Sequence, residues 1–248
     1  MLFICTLNHL TLFMKKSDCE IFRVFLLSAI FSIAMGVLEA IVVIYIRMVY
    51  YPAGFSFPLK FLTPEMMQVE WIREISTVIM LAVVGILSGK DNLSRFLYFL
   101  YSFAVWDITY YATLKIFLDW PANLLVWDIL FLIPLPWLGP VLAPVICSAL
   151  MLFMTVSFMY MKKVVRDFRV YPREWVFILT GATLVILSYT QDFMTLIFQN
   201  EFNLYENSDF WKTASLYVPE KFNWLTFSTG IVLILMSIIF SLYQYRKK

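Results

Sequence analysis

The chain has 248 residues, of which 62% are hydrophobic and only 15% are charged, and its formal net charge is +2. A soluble domain carries about 25% charged residues, so this composition excludes a soluble globule and predicts a multi-pass membrane protein with membrane lipids as immediate partners. The small net charge provides no basic surface for a nucleic-acid partner, and we expect none.

Cysteine and histidine are too sparse for a metal or haem site. The cysteines are Cys5, Cys19 and Cys147, without C-x-x-C spacing, and His9 is the single histidine. Thiolate and imidazole sites therefore lack their usual ligands. We expect no metal and no cofactor, and we expect any chemistry to rest on carboxylates, amines, guanidinium, tyrosine and amide groups.

Residues 1–20 are predicted to form a cytoplasmic N-terminal segment. Within it, the apolar stretch from Leu2 to Phe13 is shorter than the roughly 20 residues of a span. This stretch is therefore either an interfacial helix or a set of residues that precede the true first residue of the protein. Residues 21–248 are predicted to form a single transmembrane helical domain.

The following apolar runs are long enough to span a bilayer, and each is predicted to be helical because a span must satisfy its own backbone hydrogen bonds. In chain order they cover residues 24–46, 63–88, 96–117, 124–161, 175–198 and 222–243. The second run opens on Thr63, Pro64 and Glu65, which is typical of a helix start: a capping hydroxyl, a proline and an acid in the first turn.

The run from Leu124 to Met161 decides the topology, because it can cross the membrane once or twice around its proline-rich break. A single crossing gathers 13 of the 19 basic residues on the cytoplasmic side, whereas two crossings leave only five there. The positive-inside rule favours the single crossing. The predicted fold class is an all-α polytopic membrane helical bundle: six transmembrane helices plus one re-entrant or broken helix, Pro121 to Pro136, on the outer side. Both termini are expected in the cytoplasm, and the expected location is the cytoplasmic (inner) membrane of a bacterium.

Ionisable side chains lie inside or at the edge of these spans, where each costs about 2.5 to 3.5 kcal/mol, so a chain that keeps them usually uses them. At the helical rise of about 1.5 Å per residue, Glu39, Asp107 and Asp192 fall at a similar depth in the outer half of the bundle. We therefore predict a ligand or proton site there. Its candidate residues are Glu39, Arg47, Arg73, Glu74, Asp107, Tyr111, Lys115, Asp128 and Asp192. The alternative is that these groups are structural ion pairs that join helices.

Helix faces favour this convergence, because small, hydroxyl and acidic residues on one stripe indicate a helix–helix interface rather than a lipid face. The stripes are Ser28, Ser32, Gly36, Glu39, Val43 and Arg47 in the first span, Glu70, Arg73, Glu74 and Thr77 in the second, and Gly181, Ser188, Asp192 and Thr195 in the fifth.

A short string is repeated: Val-Trp-Asp-Ile occurs at residues 105–108 and again at 126–129. We interpret the two copies as having similar local roles, a carboxylate facing the interior with an indole packed beside it. After the first copy, Asp107, Tyr111 and Lys115 share one helical face at i, i+4 and i+8 spacing. That grouping fits a proton relay, a site for a polar head group, or a salt-bridged face.

Aromatic residues make up 19% of the chain. Most of the tryptophans are predicted near the outer boundary, where an interfacial belt places them. The alternative is an aromatic-lined pocket for an isoprenoid, quinone or lipid tail, covered by the loops at residues 47–62 and 200–221.

Three functions are compatible with these patterns. The leading hypothesis is a binding or transport protein whose outward-facing cavity takes a small or amphiphilic ligand, with or without proton coupling. The second is a membrane enzyme acting on a lipid or isoprenoid substrate, for which the sequence identifies no catalytic residue. The third is a non-catalytic complex subunit or assembly factor. A homodimer or a larger membrane complex is compatible with each of them.

Overall fold

The computed structural model describes residues 16–60, 63–200 and 216–246. The expected interfacial segment at residues 2–13 lies outside these residues, as does most of the loop at 200–221. Apart from the connecting loops, the described residues form helices and one short β-hairpin. The elements are α1 (Lys16–Tyr50), α2 (Pro64–Ser88), α3 (Asn92–Leu118), β1 (Trp127–Ile129), β2 (Leu138–Pro140), α4 (Leu142–Val164), α5 (Pro172–Asn200) and α6 (Trp224–Arg246).

Five of the described helices, α1, α2, α4, α5 and α6, are long and apolar enough to cross a membrane. The remaining long helix, α3, has 27 residues but is less apolar, since it carries four tyrosines and a tryptophan as well as Arg95, Asp107 and Lys115. It lies in the middle of the bundle and contacts α1, α2 and α4. The helices α5 and α6 pack on each other and join the rest mainly through α4. The fold is therefore the helical, membrane-type bundle that the apolar runs predict.

The predicted start of α2 is confirmed. The Thr63 hydroxyl accepts a hydrogen bond from the backbone N–H of Met66 at 3.4 Å, and Pro64 is the first helical residue. Asp91 caps α3 in the same way, accepting from the Ser94 N–H at 3.1 Å. Side-chain oxygens thus satisfy backbone donors that a helix start leaves without an intrahelical partner.

One end of the bundle is tied together by ion pairs between helix ends. Lys163 at the end of α4 pairs with Asp18 at the start of α1 at 2.9 Å, and Lys162 pairs with Asp91 at 2.5 Å. Burial raises the pKa of Asp91, but hydrogen bonds from Lys162 and Ser94 outweigh it and lower that pKa to about 2. These pairs place the end of α4 beside the starts of α1 and α3.

The same end is filled with apolar side chains. A core cluster joins Leu97 of α3, Phe158 of α4, Ile178 of α5 and Ile238 of α6, all of which are buried. Burial of such side chains stabilises the fold by roughly 1.5 to 3 kcal/mol each. The opposite end of the bundle is built differently, around the hairpin.

The predicted re-entrant or broken helix at Pro121 to Pro136 is wrong. This segment has no helix and leads into an antiparallel hairpin, in which Trp127 pairs with Pro140 and Ile129 pairs with Leu138. Proline lacks an N–H and clashes with the preceding helical turn, so prolines at 134 and 136 prevent a helix. The hairpin satisfies its own backbone instead, and β2 packs against α4 and α5. Irregular backbone at membrane depth is tolerated where protein surrounds it in this way.

Two glycines permit close approaches near the hairpin end. A Cβ atom at Gly139 of β2 would lie 2.8 Å from the ring of Tyr189, and one at Gly36 of α1 would lie 2.6 Å from the carbonyl oxygen of Trp106. Either contact is too short for a real side chain. Gly36 therefore allows α1 to approach the part of α3 that carries Asp107.

The polar stripe of α1 forms a buried interface, as predicted: Ser28, Ser32, Glu39 and Arg47 are all buried. The stripe of α5 is only partly buried. Gly181 and Ser188 are buried there, whereas Thr195 is exposed and donates its hydroxyl to its own helix. The predicted interface on α5 is therefore wrong at Thr195.

Candidate functional site

A cavity of about 280 Å³ lies at the hairpin end, between the first five helices and the hairpin. The loop after α1 lies against it through Tyr51, Phe55, Leu59 and Lys60. This position agrees with the prediction that the loop at residues 47–62 covers a pocket. Seven of the nine candidate residues line the cavity: Glu39, Arg47, Arg73, Glu74, Asp107, Tyr111 and Asp128.

Arg47 connects α1 to the hairpin. Its Nη2 donates to Asp128 Oδ1 at 2.9 Å, and both side chains are buried. The guanidinium also lies 3.8 Å from the ring centroid of Trp120 and 4.4 Å from that of Phe55. The Tyr111 hydroxyl donates to the second oxygen of Asp128 at 3.2 Å. Arg47 and Asp128 therefore neutralise each other as a buried ion pair in the cavity wall.

Arg73 neutralises a second group of acids. It forms ion pairs with Glu39 of α1 and with Glu70 of its own helix, the latter at 2.7 Å. The Thr77 hydroxyl donates to Glu39 at 3.0 Å. Glu70 lines the cavity and is buried. The sequence places Glu70 on this face of α2, with Arg73 and Glu74, but Glu70 is not among the nine candidate residues.

Asp107 and Glu74 differ from the other acids of the cavity, since in the described part of the chain neither forms an ion pair with a basic side chain, although Arg73 is near enough to Glu74 to interact with it electrostatically. Ser148 of α4 donates its hydroxyl to Asp107 at 2.7 Å. The backbone N–H of Leu132 in the hairpin donates to both oxygens of Glu74, at 3.0 and 2.9 Å. Both carboxylates are buried, at 8% and 6% exposure. Ser148 is absent from the candidate set because a single serine in an apolar run carries no distinguishing signal.

The cavity lining also contains donors without partners. The indole N–H groups of Trp106 and Trp137 are buried and have no hydrogen-bond partner among the described residues, and the same holds for Nη1 of Arg47. A buried donor without a partner loses free energy on the order of 1 to 3 kcal/mol. These groups are therefore available to a ligand or to water.

The repeated Val-Trp-Asp-Ile strings have partly similar roles. Asp107 and Asp128 are both buried and both line the cavity, as the repeat predicts. Trp106 lines the cavity beside Asp107, but Trp127 packs against Phe222, with ring centroids 6.1 Å apart. The indole of the second copy therefore faces away from the site.

Lys115 and Asp192 lie away from the cavity. Lys115 is half-exposed and pairs with Asp119 at 2.6 Å, beyond the end of α3. The hydrogen bond from Lys115 lowers the pKa of the exposed Asp119. Asp192 is half-buried and hydrogen-bonds with Tyr217, whereas its neighbour Phe193 lines the cavity. Asp192 therefore does not face the cavity, although the prediction of a shared site required it to.

Comparison with models of known protein families, with curated proteins and with solved structures finds no match to this chain. Within residues 16–60, 63–200 and 216–246, no group of three or more His, Cys, Asp or Glu side chains is arranged to hold a metal ion. The side chains that line the cavity offer hydrogen bonding, ion pairing, proton transfer and contact with aromatic rings.

Proposed function

We propose that this chain is a six-span protein of a bacterial inner membrane, with both termini in the cytoplasm and the cavity open to the outer side. The alternating directions of the helices support it, because they place the end of α4 beside the starts of α1 and α3. Lys162 and Lys163 lie at that end. Basic residues are enriched on the cytoplasmic side, which puts the hairpin and the cavity on the other side.

The cavity, in this proposal, binds a small or amphiphilic ligand and exchanges it with the outer side. The observation that carries the proposal is a buried carboxylate, Asp107, that has no basic partner in a cavity whose lining also includes the unpartnered indole N–H of Trp106. A buried charge without a counter-charge is costly, so such a group takes up a proton or a ligand. Purely structural polar groups are expected to be paired, as Arg47 and Asp128 are.

Asp107 is the proposed proton site, so ligand exchange and proton exchange are linked. Several groups face it and influence its protonation: Tyr110 and Tyr111 from its own helix, Cys147 and Ser148 from α4, Asp128 from the hairpin, and Tyr189 from α5. Asp128 is a like charge that Arg47 neutralises. The membrane enzyme and the structural subunit remain the alternatives, and no specific observation favours either.

The native thiol of Cys147 provides the test, because it lines the cavity. With Cys5 and Cys19 replaced by serine, we expect a membrane-impermeant methanethiosulfonate added outside intact cells to modify Cys147. The variant Met151→Trp fills the cavity and should slow modification by about tenfold, equivalent to about 1.4 kcal/mol.

The matched control is Phe153→Trp, which adds an indole on the exposed face of the same helix. It should leave the rate of Cys147 modification unchanged, and thermal melting checks that both variants fold. An unreactive Cys147 contradicts the outward-open cavity. Equal slowing by the two variants contradicts access through the cavity.

A further inference from the structure

We infer that the ligand is an organic cation, a protonated or quaternary amine with an apolar body, held by Asp107 and Glu74 and by the surrounding aromatic rings. This inference rests on the proposed function, since it names the class of ligand for the same cavity. It is carried by the balance of charge, the aromatic lining and the size of the cavity.

The cavity has an excess of acid. Five carboxylates and three basic side chains line it. One of the bases, Lys60, is exposed in the covering loop and lies 5.8 Å from the ring centroid of Tyr51. Arg47, which is buried, pairs with Asp128, and Arg73, which is partly buried, pairs with glutamates of α1 and α2. A cation can therefore pair with Asp107 and Glu74, the two carboxylates of the cavity that form no ion pair.

An anion would face the opposite situation. The guanidinium charges of Arg47 and Arg73 are already neutralised by carboxylates, so an anion bound there would either add to the excess of acid or displace a carboxylate and leave a buried acid unpaired. Breaking a buried pair by removing one partner is strongly unfavourable. The acid next to the open space, Asp107, already lies near the like charge of Asp128. The cavity thus discriminates against negative ligands.

Aromatic rings form a continuous lining beside these acids. Ring centroids are 5.2 Å apart for Phe103 and Trp106, 6.2 Å for Trp106 and Phe131, 5.5 Å for Phe131 and Trp137, and 6.0 Å for Trp137 and Tyr189. The face of an aromatic ring attracts cations, and aromatic cages are the usual receptors of quaternary ammonium groups. The rings also accept the apolar body of the ligand.

The size of the cavity limits the ligand further. Its volume of about 280 Å³ lies at the lower end of small-molecule pockets, which measure about 300 to 1,000 Å³. That space suits one small amine and excludes a whole phospholipid. Glu74 of α2 and Asp107 of α3 both line this space, so these two carboxylates are the proposed partners of the positive group.

The first experiment measures charge selectivity at Cys147 in the protein that lacks Cys5 and Cys19. The rates of modification by cationic trimethylammonium-ethyl methanethiosulfonate and anionic sulfonatoethyl methanethiosulfonate are compared, each normalised to a free thiol in solution. We expect the normalised rates to favour the cation by about tenfold or more, because a cleft of one charge sign concentrates counter-ions. Asp107→Asn should reduce this preference severalfold.

Asp119→Asn is the control, since Asp119 is exposed, lies near the outer end of α3 and does not line the cavity. It should leave the rate ratio unchanged. If Asp107→Asn fails to fold, Glu74→Gln replaces it, and the ratio in the parent protein remains decisive by itself. A parent ratio near one, or one favouring the anion, overturns the inference.

The second experiment is protection of Cys147 by matched probes. Benzyltrimethylammonium should slow its modification, whereas the neutral isostere neopentylbenzene and the anion phenylmethanesulfonate should not. Protection by the neutral or anionic probe equal to that by the cation overturns the inference but leaves a ligand-binding cavity in place. Failure of both reagents to modify Cys147 from outside overturns the proposed function and the inference together.

Discussion

Arg47 is a buried charged residue that is contacted by three other segments of the chain. It is held by a carboxylate from the hairpin and by two aromatic faces from other segments, and its side chain is 7% exposed. Each partner comes from a different part of the chain, so the pair forms only when α1, the hairpin and the covering loop assemble. The Arg47–Asp128 pair is therefore sensitive to loss of either member.

Asp128→Asn should destabilise the protein by about 3 to 5 kcal/mol, because it leaves the Arg47 guanidinium buried without its counter-charge. The double variant Arg47→Met with Asp128→Leu removes both charges and should recover most of that loss. Unfolding in detergent, followed by denaturant titration, measures the free energies. Asp119→Asn, in an exposed pair, should produce no measurable change. A double variant less stable than the single one would contradict this account of the pair.

Spacing along the sequence groups the charged residues by depth, but it does not show which side of its helix each one faces. A rise per residue places Glu39, Asp107 and Asp192 at one depth, yet Asp192 turns away from the cavity while Phe193 faces it. Pairing across helices was equally hidden: the i, i+3 spacing indicates the Glu70–Arg73 pair, but nothing in the chain specifies that Arg73 also pairs with Glu39 of α1. Ser148 and Glu70 acquire their roles only through packing.

The hairpin is the element that distinguishes this bundle from a plain set of helices. It supplies Asp128 to Arg47 and the Leu132 N–H to Glu74, so it holds α1 and α2 through polar contacts. On its other side, Gly139 lies against Tyr189 of α5. The hairpin therefore closes one side of the cavity and links both parts of the bundle.

Gly139→Ala should loosen this closure, because its Cβ would lie 2.8 Å from the ring of Tyr189. We expect a loss of stability of about 1 to 3 kcal/mol, as for other overpacked sites, and faster modification of Cys147. Thermal melting and the labelling rate measure the two effects. Ala122→Val adds bulk at an exposed position before the strand and is the control. Unchanged melting and labelling in Gly139→Ala would show that the hairpin does not close the cavity.

The helices could be predicted from the sequence, whereas the hairpin could not. A long apolar run in a membrane protein can form few structures other than a helix. The capping residue Thr63 also identifies the first residue of α2. The proline-rich segment is different, because prolines exclude a helix without stating what replaces it. The antiparallel pairing of Trp127 with Pro140 depends on burial between α4 and α5, which local sequence does not record.

The whole molecule has two unlike ends. One is filled by an apolar core and fastened by ion pairs such as Lys163 with Asp18. The other contains the cavity, the hairpin and the carboxylates that lack basic partners. The packed end holds the helices together, which leaves the cavity end to bind and exchange the proposed ligand.

Fusions of reporter proteins test which side that is. A fluorescent protein that matures only in the cytoplasm should be bright after Arg166, and alkaline phosphatase should be active after Asn123. The reason is that Arg166 follows α4 at the basic, ion-paired end, while Asn123 precedes the hairpin at the cavity end. Two crossings by the segment at residues 124–161 would place both fusion points outside, making the Arg166 fusion dark. Complete reversal of both signals would keep the six crossings but turn the cavity toward the cytoplasm, contradicting an outward-facing ligand site.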